Sequence, residues 1–498
     1  MFQRLFRNSA YSVLSFGLIS IINLMLVPII ISAYGLSAFG ILSLLKLFIP
    51  TGVLAVFDFG FSENTTIAIS QYRAKKIAAS QAFIRCLLSF LLSLIVAGIL
   101  CFTLLMSIEI WIELLGIEDN HVESINLAFY ANAWCLLLLF PMLVVDGFIK
   151  GYERYFLLRT VEVIMALLFL IASLLIIYFN SDFALLHLVF LGTLCIKFFI
   201  LIAFAWIKAR KELSVEDSFF IRREIDWLIV RGKVMWSNKI LGTVQNQFPL
   251  LVVGLLFNNA SAGLYEIIAR LPRLLKIILS LLNSALLPFA TLLDSEGDTD
   301  NMSKLGKGSL LMIGFFVSPL IFFLMAFSET ILSVWIAPAY SEYWPWLSLM
   351  LCIPFFNTFI GMMSTPFLGR TEVVKKLNFY MMIQVVLIFV ISIALISKFD
   401  SMAFYLGQVS AAAVMFYTQS RLLLKQIILP LSVIHQFWAA ISINALLFIA
   451  CLYLDIVFDS LIVLFSSWVI WFVLFSSLSW LFVLNKKQKR KIKDLLGI

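Results

Sequence analysis

Charge is scarce in this chain: Asp, Glu, Lys and Arg together make up 13% of its 498 residues, while 62% are hydrophobic. No soluble protein of this size buries that much apolar surface, so soluble enzymes and nucleic-acid-binding domains are excluded and a polytopic membrane protein is implied. Histidine is scarcer still, and His121, His187 and His435 are scattered, forming no metal or catalytic cluster. The six cysteines, Cys86, Cys101, Cys135, Cys195, Cys352 and Cys451, fall inside apolar runs without metal-ligand spacing and read as small packing residues. A Walker A loop is missing, as is a nucleophile with a base at a recognisable spacing. No enzyme is therefore expected, no cofactor and no nucleic-acid partner. Energy for any transport would come from H+, Na+, the membrane potential or the substrate gradient. Outward movement of an anion across an inside-negative membrane releases roughly 2.3 kcal/mol per charge per 100 mV.

What is present is a succession of apolar runs. Read as all-α, they give about fourteen spans: 10–33, 41–63, 83–106, 125–149, 159–179, 183–207, 233–257, 262–291, 308–333, 345–369, 376–397, 402–424, 433–456 and 460–484. The start, with Arg4 and Arg7, imitates a signal peptide, yet the run from Tyr11 to Tyr34 is long enough to span and lacks a small-x-small cleavage site. Basic residues gather in alternate loops: Arg73-Ala74-Lys75-Lys76, Lys150 to Arg154, Lys208 to Arg223, Arg370 to Lys376, Arg421 to Lys425, and the tail Lys486 to Lys491. The loop after the third span is acidic instead, and Lys398 is the clear exception on that side. The positive-inside rule then puts both termini in the cytoplasm, in agreement with an even number of spans. No loop on the opposite side is long enough for an external catalytic domain.

The longest cytoplasmic link holds Ser218 to Leu228, which mixes basic residues with aromatics. It suits an amphipathic helix lying on the membrane as an anchor, rather than one docked specifically. Around it the chain divides into two similar halves. Ser37-Ala38-Phe39-Gly40-Ile41-Leu42 is followed by Lys46 and Pro50, and Ala260-Ser261-Ala262-Gly263-Leu264-Tyr265 by Arg270 and Pro272. Six spans separate the two starts, so both halves enter from the same side and form a parallel repeat. The expected domains are a six-helix lobe over 1–215, an interfacial helix with a second six-helix lobe over 216–428, and an appendage of two helices with a basic tail over 429–498.

The most informative stretch lies in the eighth span. Glu266, Arg270, Arg273 and Lys276 follow at spacings of four, three and three, project into an arc of roughly 120°, and are extended by Ser280 and Ser284. Charges at membrane depth are expensive and normally face a bundle interior or a water-filled cavity. Pro272 leaves the Ile268 carbonyl without its helical partner, so a bend belongs at this depth. With Lys46, Lys197 and Lys239, membrane-depth cations outnumber the acids Glu162 and Glu266, while Asp58 and Glu63 lie nearer the end of the second span. That balance suits an anionic substrate, because Arg presents a planar fork of donors to phosphate oxygens. Asn23, with Ser12, Ser15 and Ser20, shares one face, as do Lys239, Thr243 and Asn246; neutral donors of this kind suit sugars. Glu266 can neutralise Arg270 or serve coupling. Lys197 can bind substrate or pair with Glu162, and Asp58 can cap a helix or form a gate.

Ala33-Tyr34-Gly35-Leu36-Ser37-Ala38-Phe39-Gly40, followed by Phe57-Asp58-Phe59-Gly60-Phe61, resembles the Wzx-type polysaccharide lipid flippases. These belong to the multidrug/oligosaccharidyl-lipid/polysaccharide exporter superfamily. The resemblance implies two six-helix lobes around a central cavity and two additional C-terminal helices. It also implies transport of an undecaprenyl-pyrophosphate-linked oligosaccharide across a bacterial inner membrane, with a glycan polymerase and chain-length machinery as partners. A multidrug exporter would favour acidic and aromatic walls; a lipid II flippase differs only in cargo. A membrane polymerase would carry a long external loop, and a scaffold subunit would not need a charged stripe at membrane depth.

Overall fold

A backbone in hydrocarbon must satisfy its own N–H and C=O groups, which a helix does within one segment. In the computed structural model of the chain, the elements are accordingly all helical among the described residues. These are residues 2–117, 121–213, 221–296, 299–367, 371–425, 429–454, 460–484 and the single positions 456, 458 and 489. In chain order the helices are α1 (Phe2–Leu45), α2 (Phe61–Arg73), α3 (Ala79–Met106), α4 (Ile108–Leu114), α5 (Val122–Gly151), α6 (Tyr155–Tyr178) and α7 (Ala184–Glu212). Then come α8 (Ile221–Asn246), α9 (Phe248–Leu256), α10 (Asn259–Glu296), α11 (Thr299–Met312), α12 (Ser318–Ala326) and α13 (Ser328–Trp335). The remainder are α14 (Trp344–Met350), α15 (Cys352–Ser364), α16 (Thr371–Phe399), α17 (Ala403–Leu424), α18 (Leu431–Tyr453) and α19 (Leu461–Phe482).

Among the described residues ten stretches are long and apolar enough to cross a membrane. Two of them, Tyr11–Phe57 and Lys375–Leu424, each hold two of the expected spans. The expected spans 233–257 and 262–291 fall on α8–α9 and on α10. The chain is a multi-pass membrane protein.

The expectation of one helix over 41–63 needs correction. Gly35, at φ 83° and ψ 172°, interrupts α1, which then resumes and runs to Leu45. A short 3₁₀ turn over Lys46–Phe48 leads to Pro50, which has no N–H to continue the ladder. Regular α-helix returns only after Gly60, whose φ of 80° lies in the left-handed region open to glycine. The second span is therefore discontinuous, and irregular backbone at membrane depth is tolerated only where protein or a watery cavity surrounds it.

Contacts divide the chain into two compact units, Met1–Glu266 and Ile267–Ile498. In the first, α5 is central, packing against α2, α3 and α7, while α6 joins α1 to α7. Its core holds Leu139, Ile149, Leu158 and Leu201, all at or below 1% exposure. The helices α8 and α9 group with this unit, although the sequence assigned them to the second lobe. In the second unit α16 packs on α17 and α17 on α15, while α18 lies on α12. The last two helices are joined to this unit by polar links the sequence did not suggest. Asn444 donates to Ser318 Oγ at 3.0 Å and accepts from Trp471 Nε1 at 3.3 Å, so buried hydrogen bonds tie α12, α18 and α19 together.

Candidate functional site

One face of α8 carries Gly232, Met235, Trp236 and Lys239, at the spacing i, i+3, i+4, i+7 of a single helical stripe. That stripe lies on the irregular segment Val56–Gly60 and the first turn of α2. The Trp236 indole N–H donates to the Val56 carbonyl at 2.5 Å, and its ring lies 5.2 Å from that of Phe59. Gly232 is required by closeness, since a Cβ there would sit 2.9 Å from the Phe59 carbonyl oxygen. At the end of the stripe Lys239 binds Asp58 Oδ2 and, at 2.8 Å, Glu63 Oε2. Asp58 also caps α2, its other oxygen accepting from the N–H groups of Gly60 (3.0 Å) and Phe61 (2.9 Å). One carboxylate thus caps a helix, one of the two readings of the sequence, and also pairs with a cation. Two carboxylates clasp one ammonium, and together they tie α8 to the break in the second span.

A turn and more before this stripe, α8 is fastened again. Arg85 Nε donates to Glu224 Oε2 at 2.5 Å, and both side chains are under 8% exposed. Gln81 also donates to Glu224, Gln71 accepts from Arg85, and the Arg85 guanidinium lies 3.9 Å from the centre of the Trp227 ring. This corrects the expectation of a simple interfacial anchor. Glu224 and Trp227 of the link are turned inward onto α3, because a buried charge requires a partner. The signal available in the sequence was Glu224, an acid that directly follows Arg222 and Arg223.

Lys46 stands at the end of α1, its ammonium 4.8 Å from the centre of the Phe190 ring and 5.6 Å from that of Phe169. Such cation–π contacts are worth about 0.5–2 kcal/mol each, more when desolvated. The helix end beside it is capped by a residue the sequence passed over: Asn132 Nδ2 donates to the Leu45 carbonyl at 3.1 Å. His187 Nε2 then donates to Asn132 Oδ1 at 3.0 Å, a tautomer assigned because the amide oxygen can only accept. His187 is fully buried, and its Nδ1 has no hydrogen-bond partner in the structure. It is scattered in the sequence and clustered in space.

Lys197 lies inside the first unit. It pairs with Glu162, as one of the two readings of the sequence has it, and also with Asp146, both at 3.2 Å. Arg159 completes the group with a 2.7 Å contact to Glu162. Asp146 was missed, although it is an acid in the apolar run from Pro141 to Ile149.

On α10 the residues Glu266, Arg270, Arg273 and Lys276 are all half-buried. Glu266 ends the first unit and the three cations open the second. The helix is not broken at Pro272: α10 is one element from Asn259 to Glu296. Arg273 Nε donates to the Ala269 carbonyl at 3.2 Å, one residue beyond the Ile268 carbonyl that the proline leaves without its helical donor. Of the neutral candidates, Thr243 is buried, Asn23 is half-buried on α1, and Asn246 donates back to its own helix at the Gly242 carbonyl, at 2.5 Å. Among the described residues no group of His, Cys, Asp and Glu has the makings of a metal site.

No family model and no curated protein sequence matches the chain. Solved structures do. The lipid II flippase MurJ in an inward closed conformation superposes with a TM-score of 0.73 at 13% identity, covering 95% of this chain and 98% of that one. An inward-facing multidrug resistance MATE family transporter of the MOP superfamily gives 0.62 at 15% identity, over 81% of this chain and 98% of that one. A eukaryotic MATE transporter gives 0.55 at 14% identity, over 89% and 99%. At such identities the likeness is one of fold, and this chain shares the fold of those solved structures.

Proposed function

We propose that this protein is a flippase that carries an undecaprenyl-pyrophosphate-linked oligosaccharide from the cytoplasmic to the outer leaflet of a bacterial inner membrane. Both termini are cytoplasmic in this reading, and a glycan polymerase with its chain-length machinery takes the product. The observation that carries it is α10, where Arg270, Arg273 and Lys276 sit at i, i+3 and i+6 of one long apolar helix with a single acid, Glu266, on the same stripe. A diphosphate answers that charge, and an organic cation does not. Lys46 and Lys239 add cations, while Asn23, Thr243 and Asn246 offer neutral donors for sugars. The clasp of Lys239 by Asp58 and Glu63 serves as a gate, since it ties α8 to the discontinuous span and must part for α8 to move. Coupling to H+ or Na+ would involve Glu266, while Lys197, paired with Glu162 and Asp146, serves structurally.

The test is export. Arg270→Ala and Arg273→Ala should each abolish surface glycan while the protein stays at normal level in the membrane. Each charged hydrogen bond lost is worth about 1.5–3 kcal/mol. Arg270→Lys should restore export only in part, because ammonium keeps the charge and loses the fork. Export at the parental level from both Arg→Ala variants would refute the reading. A lipid II flippase is the second reading, favoured by the MurJ likeness; rescue of lipid II transport by this chain would select it.

A further inference from the structure

The seam between α5 and α7 is held by two polar links, His187 to Asn132 at 3.0 Å and Lys197 to Asp146 at 3.2 Å. On the same pair of helices Cys135 and Cys195 meet, with Sγ to Sγ at 3.6 Å. We infer that Cys135 and Cys195 form a dithiol modification site, which lipid hydroperoxides oxidise to a disulfide that staples α5 to α7.

Geometry carries the inference. A disulfide needs a sulfur separation of about 2.05 Å, so the two thiols must close by roughly 1.5 Å, a movement within reach of small side-chain rotations. The polar links keep the seam in register. Access comes from the bilayer. Both cysteines are half-buried, and next to them in sequence Trp134 is 60% and Ile196 47% exposed on a surface of apolar side chains. An oxidant dissolved in the hydrocarbon reaches such a place, whereas charged aqueous reductants do not, so a disulfide once formed would persist. The remaining cysteines, Cys86 and Cys101 on α3, Cys352 on α15 and Cys451 on α18, serve as internal controls.

The chemistry balances with the hydroperoxide as the only oxidant. One thiol sulfur attacks the terminal peroxide oxygen; the O–O bond breaks, the lipid leaves as an alcohol, and a sulfenic acid remains. The second thiol displaces its hydroxyl, which leaves as water with the thiol's proton. Two electrons and two protons pass from the cysteines, and an S–S bond replaces two S–H bonds.

The experiment uses the full chain in nanodiscs of saturated lipid, treated with cumene hydroperoxide as the probe. The intact mass should fall by the mass of two hydrogen atoms. A non-reducing peptide map should join the Cys135 peptide to the Cys195 peptide, while the four control cysteines remain open to alkylation. This map is read on the unaltered chain and depends on no variant. Cys135→Ser should lose the mass change and leave a sulfenic acid at Cys195 that dimedone traps; Cys195→Ser should do the converse. The inference is overturned if Cys135 and Cys195 alkylate like the controls after treatment, or if the links found join other cysteines or separate chains.

Discussion

Gly40 on α1 and Gly263 on α10 each press against the other's helix in the same way. A Cβ at Gly40 would lie 1.8 Å from the Asn259 carbonyl oxygen, and one at Gly263 would lie 2.5 Å from the Leu36 carbonyl oxygen. Both positions in one helix map onto the other at a single offset of 223 residues (36 to 259, 40 to 263). Reciprocal contact between corresponding residues is what a twofold axis between the two segments requires. The two starts of the sequence repeat therefore meet each other. Neither glycine can be enlarged without parting two backbones. Gly40→Ala and Gly263→Ala are each expected to lower stability by about 1–3 kcal/mol, the usual range for overpacking. Gly98→Ala and Gly192→Ala, which meet nothing within 4 Å, should not. Thermal unfolding of the detergent-purified variants checks this.

The buried pair of Arg85 and Glu224 makes a different prediction. Glu224→Leu strands a guanidinium among α2, α3 and α8, and such a loss typically amounts to about 3–5 kcal/mol. Replacing both partners, Arg85→Leu with Glu224→Leu, should recover much of that stability, because no charge is left behind. A double-mutant cycle on melting temperatures measures the coupling; additive losses would show that the two residues act separately.

Release of the Lys239 clasp should be visible without any assay of transport. Lys239→Met leaves Asp58 capping α2 and removes the tie to α8, so amide exchange over 221–246 should speed up while exchange over α5 stays unchanged. Glu63→Gln should give a smaller change, since Asp58 still holds the ammonium. Hydrogen–deuterium exchange with mass spectrometry reads both. Identical exchange in all three proteins would mean that the indole and the glycine contact alone hold α8 in place.

Glu266→Gln tests coupling. As a neutralising partner in a cationic stripe, Glu266 is expected to be dispensable, and the variant should still transport. Vesicles with an imposed pH or sodium gradient distinguish this from an ion-carrying role, in which gradient-driven transport would vanish while substrate binding persisted.

Local chemistry was readable wherever it depended on the chain's own neighbours. Hydrocarbon length and helical period made the spans evident, and the i, i+4, i+7, i+10 spacing of Glu266, Arg270, Arg273 and Lys276 put four charges on one side of α10 regardless of its surroundings. The glycines of the repeat were recognised, but not that they touch, because contact between positions 223 apart is a matter of packing. The broken second span was not anticipated: Pro50 was read only as a mark of the repeat, and the irregular stretch up to Gly60 follows from Asp58 capping α2 and Trp236 occupying the Val56 carbonyl.

Composition and periodicity by themselves determined a multi-pass helical membrane protein and a positive stripe on one face of α10, since these follow from hydrophobicity and from the 3.6-residue turn. Tertiary structure alone decided the pairings: Glu224 with Arg85, Lys239 with Asp58 and Glu63, Lys197 with Asp146 as well as Glu162, His187 with Asn132, and Cys135 beside Cys195. The reason is physical. A buried polar group must find a partner, but many partners satisfy the same requirement, and the choice among them is made by which helices pack together.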